Sequence, residues 1–283
     1  MPSIPQRAHR GGFWRGLALS PFVLFTLFPF YWMLVTSLKT NRELYDLSAI
    51  PLVIRQGITL DNYAFLFRQT EFLTWFKNSV IVCTGATAIS LVISIVAAYG
   101  LTRIKFRGSD FFAMGVFISY LVPSTLLFIP LTEMVARAEL TDSLWSLILT
   151  YPSFLIPFCT WLLMGYFRTL PREVEECAMV DGLSRLATLI RIVLPVARPA
   201  IVTATLFSFT LSWGELVYGL TFISSSTQKP LAVGVVAELV RGDVFYWGSL
   251  MAGALLASLP VVVVYALFTD QFASGLTAGA TKY

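Results

Sequence analysis

The sequence predicts an all-α membrane protein with six transmembrane helices and both termini in the cytoplasm. Three observations carry that prediction. Of the 283 residues, 57% are hydrophobic and 13% charged, whereas a soluble domain carries about 45–50% apolar and about 25% charged residues. Stretches free of Asp, Glu, Lys and Arg, and near the roughly 20 residues that cross a hydrocarbon core of about 30 Å, recur six times. The lysines and arginines between them are distributed unevenly, as the positive-inside rule requires. A transmembrane barrel is excluded, because its strands alternate in polarity over segments of about ten residues.

In chain order, residues 1–16 form an N-terminal tail bearing Arg7, His9, Arg10 and Arg15 ahead of the first span, 17–38. That basic start resembles a signal peptide, but the apolar run continues through Pro29, Phe30, Tyr31 and Trp32 to Lys39, longer than a signal core of about 7–15 residues. It reads as a retained helix. Residues 39–78, with Leu60, Asp61, Asn62 and Tyr63, form an outer region expected to pack on the outer mouth or on a partner. A five-helix core, 79–269, follows, with spans Ser79–Thr102, Phe111–Thr132, Ser143–Phe167, Pro199–Gly214 continued past Glu215 to Ser224, and Val244–Thr269. Residues 270–283 are a second tail.

With the N-terminus inside, twelve of the 20 lysines and arginines fall on inner segments. The short loop with Arg103, Lys105 and Arg107 outweighs the loop around Arg137 by three to one. The net charge of +4 is accounted for by these topology signals and by contact with anionic lipid, so no nucleic-acid partner is implied. Cys83, Cys159 and Cys177 form no paired framework and read as free thiols. No phosphate-binding Gly-Lys-Ser/Thr loop, Gly-x-Ser-x-Gly elbow or His-Glu-x-x-His helix occurs, and His9 is the one histidine. The sequence therefore offers no catalytic residue, metal site or cofactor of its own.

The informative segment is the inner loop 168–198, which holds nine of the 36 charged residues. It reads as two short helices joined at Gly182. Thr169 and Pro171 suit a helix start, and Glu173, Glu175 and Glu176 load its first turn against the helix dipole. Val174, Cys177, Ala178 and Asp181 follow at helical spacing, and Gly182 is a natural stop. Leu186, Leu189, Ile190 and Val193 form a second stripe, with Arg185 and Arg191 polar, before Leu194 and Pro195 end the helix.

The string Glu175-Glu176-Cys177-Ala178, then Asp181-Gly182, then Ile192-Val193-Leu194-Pro195, resembles the EAA loop of the permease subunits of ATP-binding-cassette (ABC) importers. The family pattern is Glu-Ala-Ala, three residues, Gly, about nine residues, then Ile-x-Leu-Pro; Cys177 replaces the first alanine. Asn78-Ser79, Pro123, Pro130-Leu131 and the segment Gly275 to Ala280 resemble the smaller permease of the carbohydrate importers of maltose and glycerol-phosphate type. Trp213-Gly214-Glu215 departs from the expected Trp-Asn-Glu or Trp-Asn-Asp.

The resemblance implies the type I importer architecture and a loop that docks on an ATPase subunit as a coupling helix, with Glu173, Glu176, Cys177, Ala178, Asp181, Gly182, Leu194 and Pro195 as its coupling residues. The implied partners are a second, homologous permease forming a heterodimer, two ATPase subunits that carry ATP and Mg, and an extracytoplasmic solute-binding protein. An amphipathic helix lying on the lipid surface is the alternative for the loop. Intramembrane charge points to function, so Glu215, beside Trp213 and Tyr218, is a candidate for a carbohydrate pathway, the alternative being a carboxylate that reaches outer water. Ser225, Gln228 and Lys229, in the Ser-rich segment after Ser224, are candidate binding-protein contacts or an ordinary exposed turn. An ion-coupled transporter or channel acting without an ATPase is the competing class; it should show ionisable residues near the midplane or broken helices around ion sites. A membrane-embedded enzyme would need polar clusters that the chain lacks.

Overall fold

The computed structural model describes residues 10–269 apart from Lys105, Gly242 and Asp243. Arg7, His9, both tails' outer residues and the Gly275 to Ala280 segment lie outside the described residues. The described chain is predominantly helical. Four helices are long and apolar enough to cross a membrane, and six spans result when each of two bent helix pairs is counted as one. The chain divides into two compact units, residues 1–70 with 239–256 and residues 71–238 with 257–283.

In the first unit, α1 (Arg10–Ser37) is the first span, and only 6% of its apolar window is buried. A helix apolar on all sides and so exposed is solvated by lipid or by another membrane helix. Thr40 then caps the short α2 (Asn41–Leu44) through the Glu43 amide. The outer region is folded by a clasp. Lys39 donates from Nζ to the carbonyls of Ile50 at 2.9 Å and Pro51 at 3.0 Å and pairs with Glu43 at 3.4 Å. Glu43 in turn accepts the amides of Arg55 and Gln56, and the Gln56 amide above all holds its carboxyl below the ordinary range against the opposing effect of burial. On α3 (Asp61–Gln69), Asn62 is buried and donates to the carbonyls of Ser37 and Lys39. A two-stranded hairpin, β1 (Val240–Arg241) and β2 (Val244–Phe245), accepts Tyr45 Oη at the Phe245 carbonyl.

The second unit is built on α4 (Phe72–Arg103), a single helix of 32 residues. At 1.5 Å per residue it is about 48 Å long. Ala86, Ser90, Ser94 and Ala98 recur every fourth residue on one face and are fully buried; small residues in this pattern let membrane helices approach closely. Against α4 pack α7 (Leu144–Thr150), α8 (Pro152–Phe167) and α12 (Arg198–Trp213). One core cluster joins Ala98, Tyr99, Cys159, Leu163, Phe167, Leu189, Val193 and Ala200. A second joins Val82, Ala86, Leu147, Tyr151, Leu155, Tyr218 and Phe222.

Several spans differ from the sequence expectation, each for a local reason. The second begins at Phe72, not Ser79, because Phe72, Trp75, Asn78 and Ser79 are buried at helical spacing while Lys77 faces outward. The third is broken: α5 (Ser109–Leu121) and α6 (Ser124–Arg137) meet at 95°. Val122 is extended ahead of Pro123, the conformation that a following proline favours. The fifth ends at Trp213, and a separate α13 (Val217–Phe222) follows the Gly214 break. The segment after Ser224 is not a simple outer loop. It forms a 3₁₀ turn, Ser226–Gln228, and then α14 (Leu231–Leu239), in which Leu231, Val233, Val235 and Leu239 are buried. The last helix starts at Trp247 and runs to Leu267, since Val244 and Phe245 belong to the hairpin.

Candidate functional site

The charged loop folds as α9 (Arg172–Val180), a turn, α10 (Arg185–Thr188), one π-helical turn over Leu189–Val193, and α11 (Leu194–Val196). Pro171 is the residue before α9; Thr169 turns its hydroxyl to the Tyr166 carbonyl instead of capping the helix. Gly182 ends α9 with φ +92°. Its amide bonds the Met179 carbonyl and the Leu183 amide bonds the Ala178 carbonyl, each at 3.1 Å. That pair of bonds is a Schellman closure, which requires the left-handed backbone glycine adopts freely. Ser184 then caps α10 through the Ala187 amide.

The expected helix end at Leu194 and Pro195 falls two residues later. The Leu194 amide bonds the Leu189 carbonyl, a five-residue step. This π turn lets helical structure pass through Pro195, and the chain bends by 80° at Ala197 instead. The wider turn also splits the second stripe: Leu189 and Val193 are buried, whereas Leu186 and Ile190 are exposed.

α9 presents two distinct faces. Glu175 and Ala178 are buried. Glu173, Val174, Glu176, Cys177, Val180, Asp181 and Gly182 are exposed. Cys177 is thus exposed where its neighbour Ala178 is buried, and Ala178 contributes to packing rather than to the outward face. Leu194 is half-buried and Pro195 exposed.

The buried side holds an ion pair that the sequence did not single out. Arg103 Nε stands 2.6 Å from Glu175 Oε1, with both side chains less than a tenth exposed. The two atoms meet outside hydrogen-bond angles, so the contact is Coulombic. Arg103 also donates from Nη2 to the Leu170 carbonyl at 3.0 Å, and Arg172 donates to the Thr102 carbonyl at 3.2 Å. Arg103, Arg172, Glu175, Glu176, Met179 and Arg185 line a cleft of about 380 Å³ beside this pair.

At the opposite end of α4, the segment after Ser224 is pinned by side chains. Trp75 Nε1 donates to the Ser226 carbonyl, Asn78 Nδ2 to the carbonyls of Thr227 and Lys229, and Ser79 Oγ accepts the Leu231 amide. The Asp142 carboxylate accepts the amides of Ser224 at 3.0 Å and Ser225 at 2.9 Å, and the Ser225 hydroxyl. The Ser225 hydroxyl, ahead of the two amides, holds the Asp142 carboxyl below its ordinary value. Ser225 is exposed and Gln228 half-buried, and Lys229 pairs with Glu238 at 2.6 Å.

Glu215 lies in the break between α12 and α13 rather than within a span. It accepts Tyr151 Oη at 3.0 Å and the amides of Tyr218 and Gly219 at 2.9 and 3.2 Å, so it serves the N-terminal turn of α13. Trp213 is buried, donates to the Ala257 carbonyl and stacks on Phe209. Tyr218 is buried and donates to the Ser124 carbonyl. The three therefore share one neighbourhood, of which Glu215 is the accessible member. Among the described residues, no group of His, Cys, Asp and Glu side chains could hold a metal ion.

Several apolar spans and, between two of them, a charged helix with one buried and one exposed face are the features of a membrane transport subunit. The chain belongs to the family described as the binding-protein-dependent transport system inner membrane component, which matches residues 90–278. It is 35% identical over 275 residues to an inner membrane ABC transporter permease protein, YcjP, of Escherichia coli, covering 96% of each chain. It is 32% identical to the sulfoquinovosyl glycerol transport system permease protein SmoH of Agrobacterium fabrum, over 95% of this chain and 93% of that one. It is likewise 32% identical to the trehalose/maltose transport system permease protein MalG of Thermococcus litoralis, over 90% and 91%. In fold it resembles a chain of a bacterial ABC transporter that imports alginate, with TM-score 0.78 at 19% identity over 96% of this chain and all of that one. The protein is a multi-pass permease of an ABC importer: the family match sets aside the competing class of ATPase-independent transporters, although two spans are broken as that class would have them.

Proposed function

We propose that the chain forms half of the pathway of a carbohydrate or polyol importer, pairs with a second homologous permease, and is driven by two ATPase subunits that bind ATP and Mg. An extracytoplasmic binding protein delivers the substrate. The termini and α9 face the cytoplasm, and α9 is the coupling helix. The observation that carries this reading is the two-faced α9, anchored through Glu175 and Ala178 while Glu173, Glu176, Cys177, Asp181 and Gly182 stand free. Exposed Val174, Val180 and Leu186 beside those acidic residues suit a protein groove better than water.

Ser225 and its neighbours Gln228 and Lys229 are proposed to meet the binding protein, and Glu215, with Trp213 and Tyr218 behind it, to border the pathway. The carbohydrate assignment draws on the names of the sugar permeases the chain resembles. Cys177 supplies the test of the coupling role, because it is exposed whereas Cys83 and Cys159 are buried. A membrane-impermeant maleimide should label Cys177 in inside-out vesicles and not in intact cells, and the assembled ATPase subunits should protect it. Labelling from outside, or labelling indifferent to the ATPase, would reject the assignment.

A further inference from the structure

We propose that Arg103 and Glu175 are positioning residues for coupling: the buried pair fixes the tilt and register of α9 on the end of α4, so that closure of the ATPase subunits moves the spans. This rests on the coupling role of α9. Glu175 is the buried charge of that helix, and Arg103 is the last residue of α4. Through Nη2 on the Leu170 carbonyl, the same guanidinium also holds the link that leads from α8 into α9. One side chain thus ties three elements together, while the opposite face of α9 is left exposed for docking. A buried ion pair is a weak source of stability compared with an apolar contact of the same volume, and its better-attested use is to specify one arrangement. Here the arrangement specified is that of the force-bearing helix against the longest helix of the unit. α4 runs from this end to the segment held by Trp75, Asn78 and Ser79 with no break in its 32 residues.

The test uses the complete transporter in proteoliposomes, with its second permease, ATPase subunits and binding protein. Glu175→Gln preserves volume and removes the charge. It should leave Cys177 protected by the ATPase, yet raise the ATP hydrolysed per substrate imported by roughly five-fold or more, the lower end of typical coupling effects. Arg103→Gln should do the same, and the exchange Arg103→Glu with Glu175→Arg should bring the ratio part of the way back, short of the parent because a carboxylate at 103 has no donor for the Leu170 carbonyl. Because this ratio is taken per assembled complex, a mere loss of folded protein does not move it. Unchanged ratios in the single variants overturn the proposal, as does an assembled exchange variant no better coupled than the singles. If the single variants fail to insert, the exchange variant alone decides by the same ratio. Parent Cys177 labelled equally with and without the ATPase removes the coupling role of α9, and the proposal with it.

Discussion

Gly182 offers the sharpest test of how α9 is built. Its φ of +92° lies in the left-handed region, which costs an L residue about 1–2 kcal/mol. A Cβ there would meet no heavy atom of the chain within 4 Å, so the first side-chain carbon of Gly182→Val has open space and the effect argued within the permease is conformational. The variant should hold the turn under strain or release the two closing bonds from Gly182 and Leu183. A cost of one or two kcal/mol corresponds to a five- to thirty-fold shift in a local equilibrium, enough to leave the last turn of α9 open in a sizeable fraction of molecules. The chain should still insert, because no buried contact is lost, while substrate imported per ATP falls several-fold in proteoliposomes. Gly182→Asn is the control: asparagine enters the left-handed region more readily than valine but is nearly as bulky. If Asn restores coupling, backbone conformation is what Gly182 supplies. If Asn and Val are equally uncoupled, the requirement is closeness to the ATPase groove and the conformational argument is wrong; if Val couples normally, Gly182 has no part in coupling.

Two further outcomes concern the opposite end of α4. Asp142, at φ +58°, accepts donors from Ser224 and Ser225, which hold its folded carboxyl below the ordinary aspartate value; its stabilisation is therefore complete above that ordinary value and is lost as pH falls through the lower folded one. Asp142→Asn keeps the left-handed turn but removes the charge, so it should speed hydrogen exchange at the Ser224 and Ser225 amides at neutral pH, and protection unchanged from the parent would contradict the tether. Gly234 faces the Trp75 indole so closely that a Cβ would overlap the ring, and Trp75 is fully buried. Gly234→Ala should destabilise the solubilised protein by about 1–3 kcal/mol, as overpacking does, and Trp75→Leu in the same chain should recover part of that loss in thermal unfolding; an additive double variant would show the two are independent.

The six spans and the loop were legible because their signals are local: charge-free length marks a span, and the run from Glu175 to Gly182 has a spacing that one helix and one left-handed turn dictate. What escaped the sequence depends on partners far apart in the chain. Arg103 read as a topology charge because nothing near it in sequence indicates Glu175, 72 positions on. Glu175 and Glu176 look equivalent in sequence, since three acidic residues share one turn and the packing side of the helix is not marked, although Glu175 and Ala178 share a face at i, i+3. The charge-free run starts only after Lys77, which shares the exposed face of α4 with Leu73, Val80 and Ile81, while the buried face already begins at Phe72. α14 read as loop for a related reason. Its nine residues are too short to signal a span, and the glycine that lets it nest against Trp75 is, in sequence alone, a mark of a turn.

Both ends of α4 are therefore secured by polar side chains that composition alone assigns to other roles. Trp75, Asn78 and Ser79 hold one loop and Arg103 holds the other, while Ala86, Ser90, Ser94 and Ala98 let the middle pack tightly on its neighbours. The middle is held as well, by Ser94 Oγ donating to the Ile156 carbonyl at 3.2 Å and by Val82 and Tyr99 in the two core clusters. One unbroken helix of 32 residues thus holds a loop at each end and packs along its length, which is the mechanical property a permease needs if events at its two surfaces are to be linked.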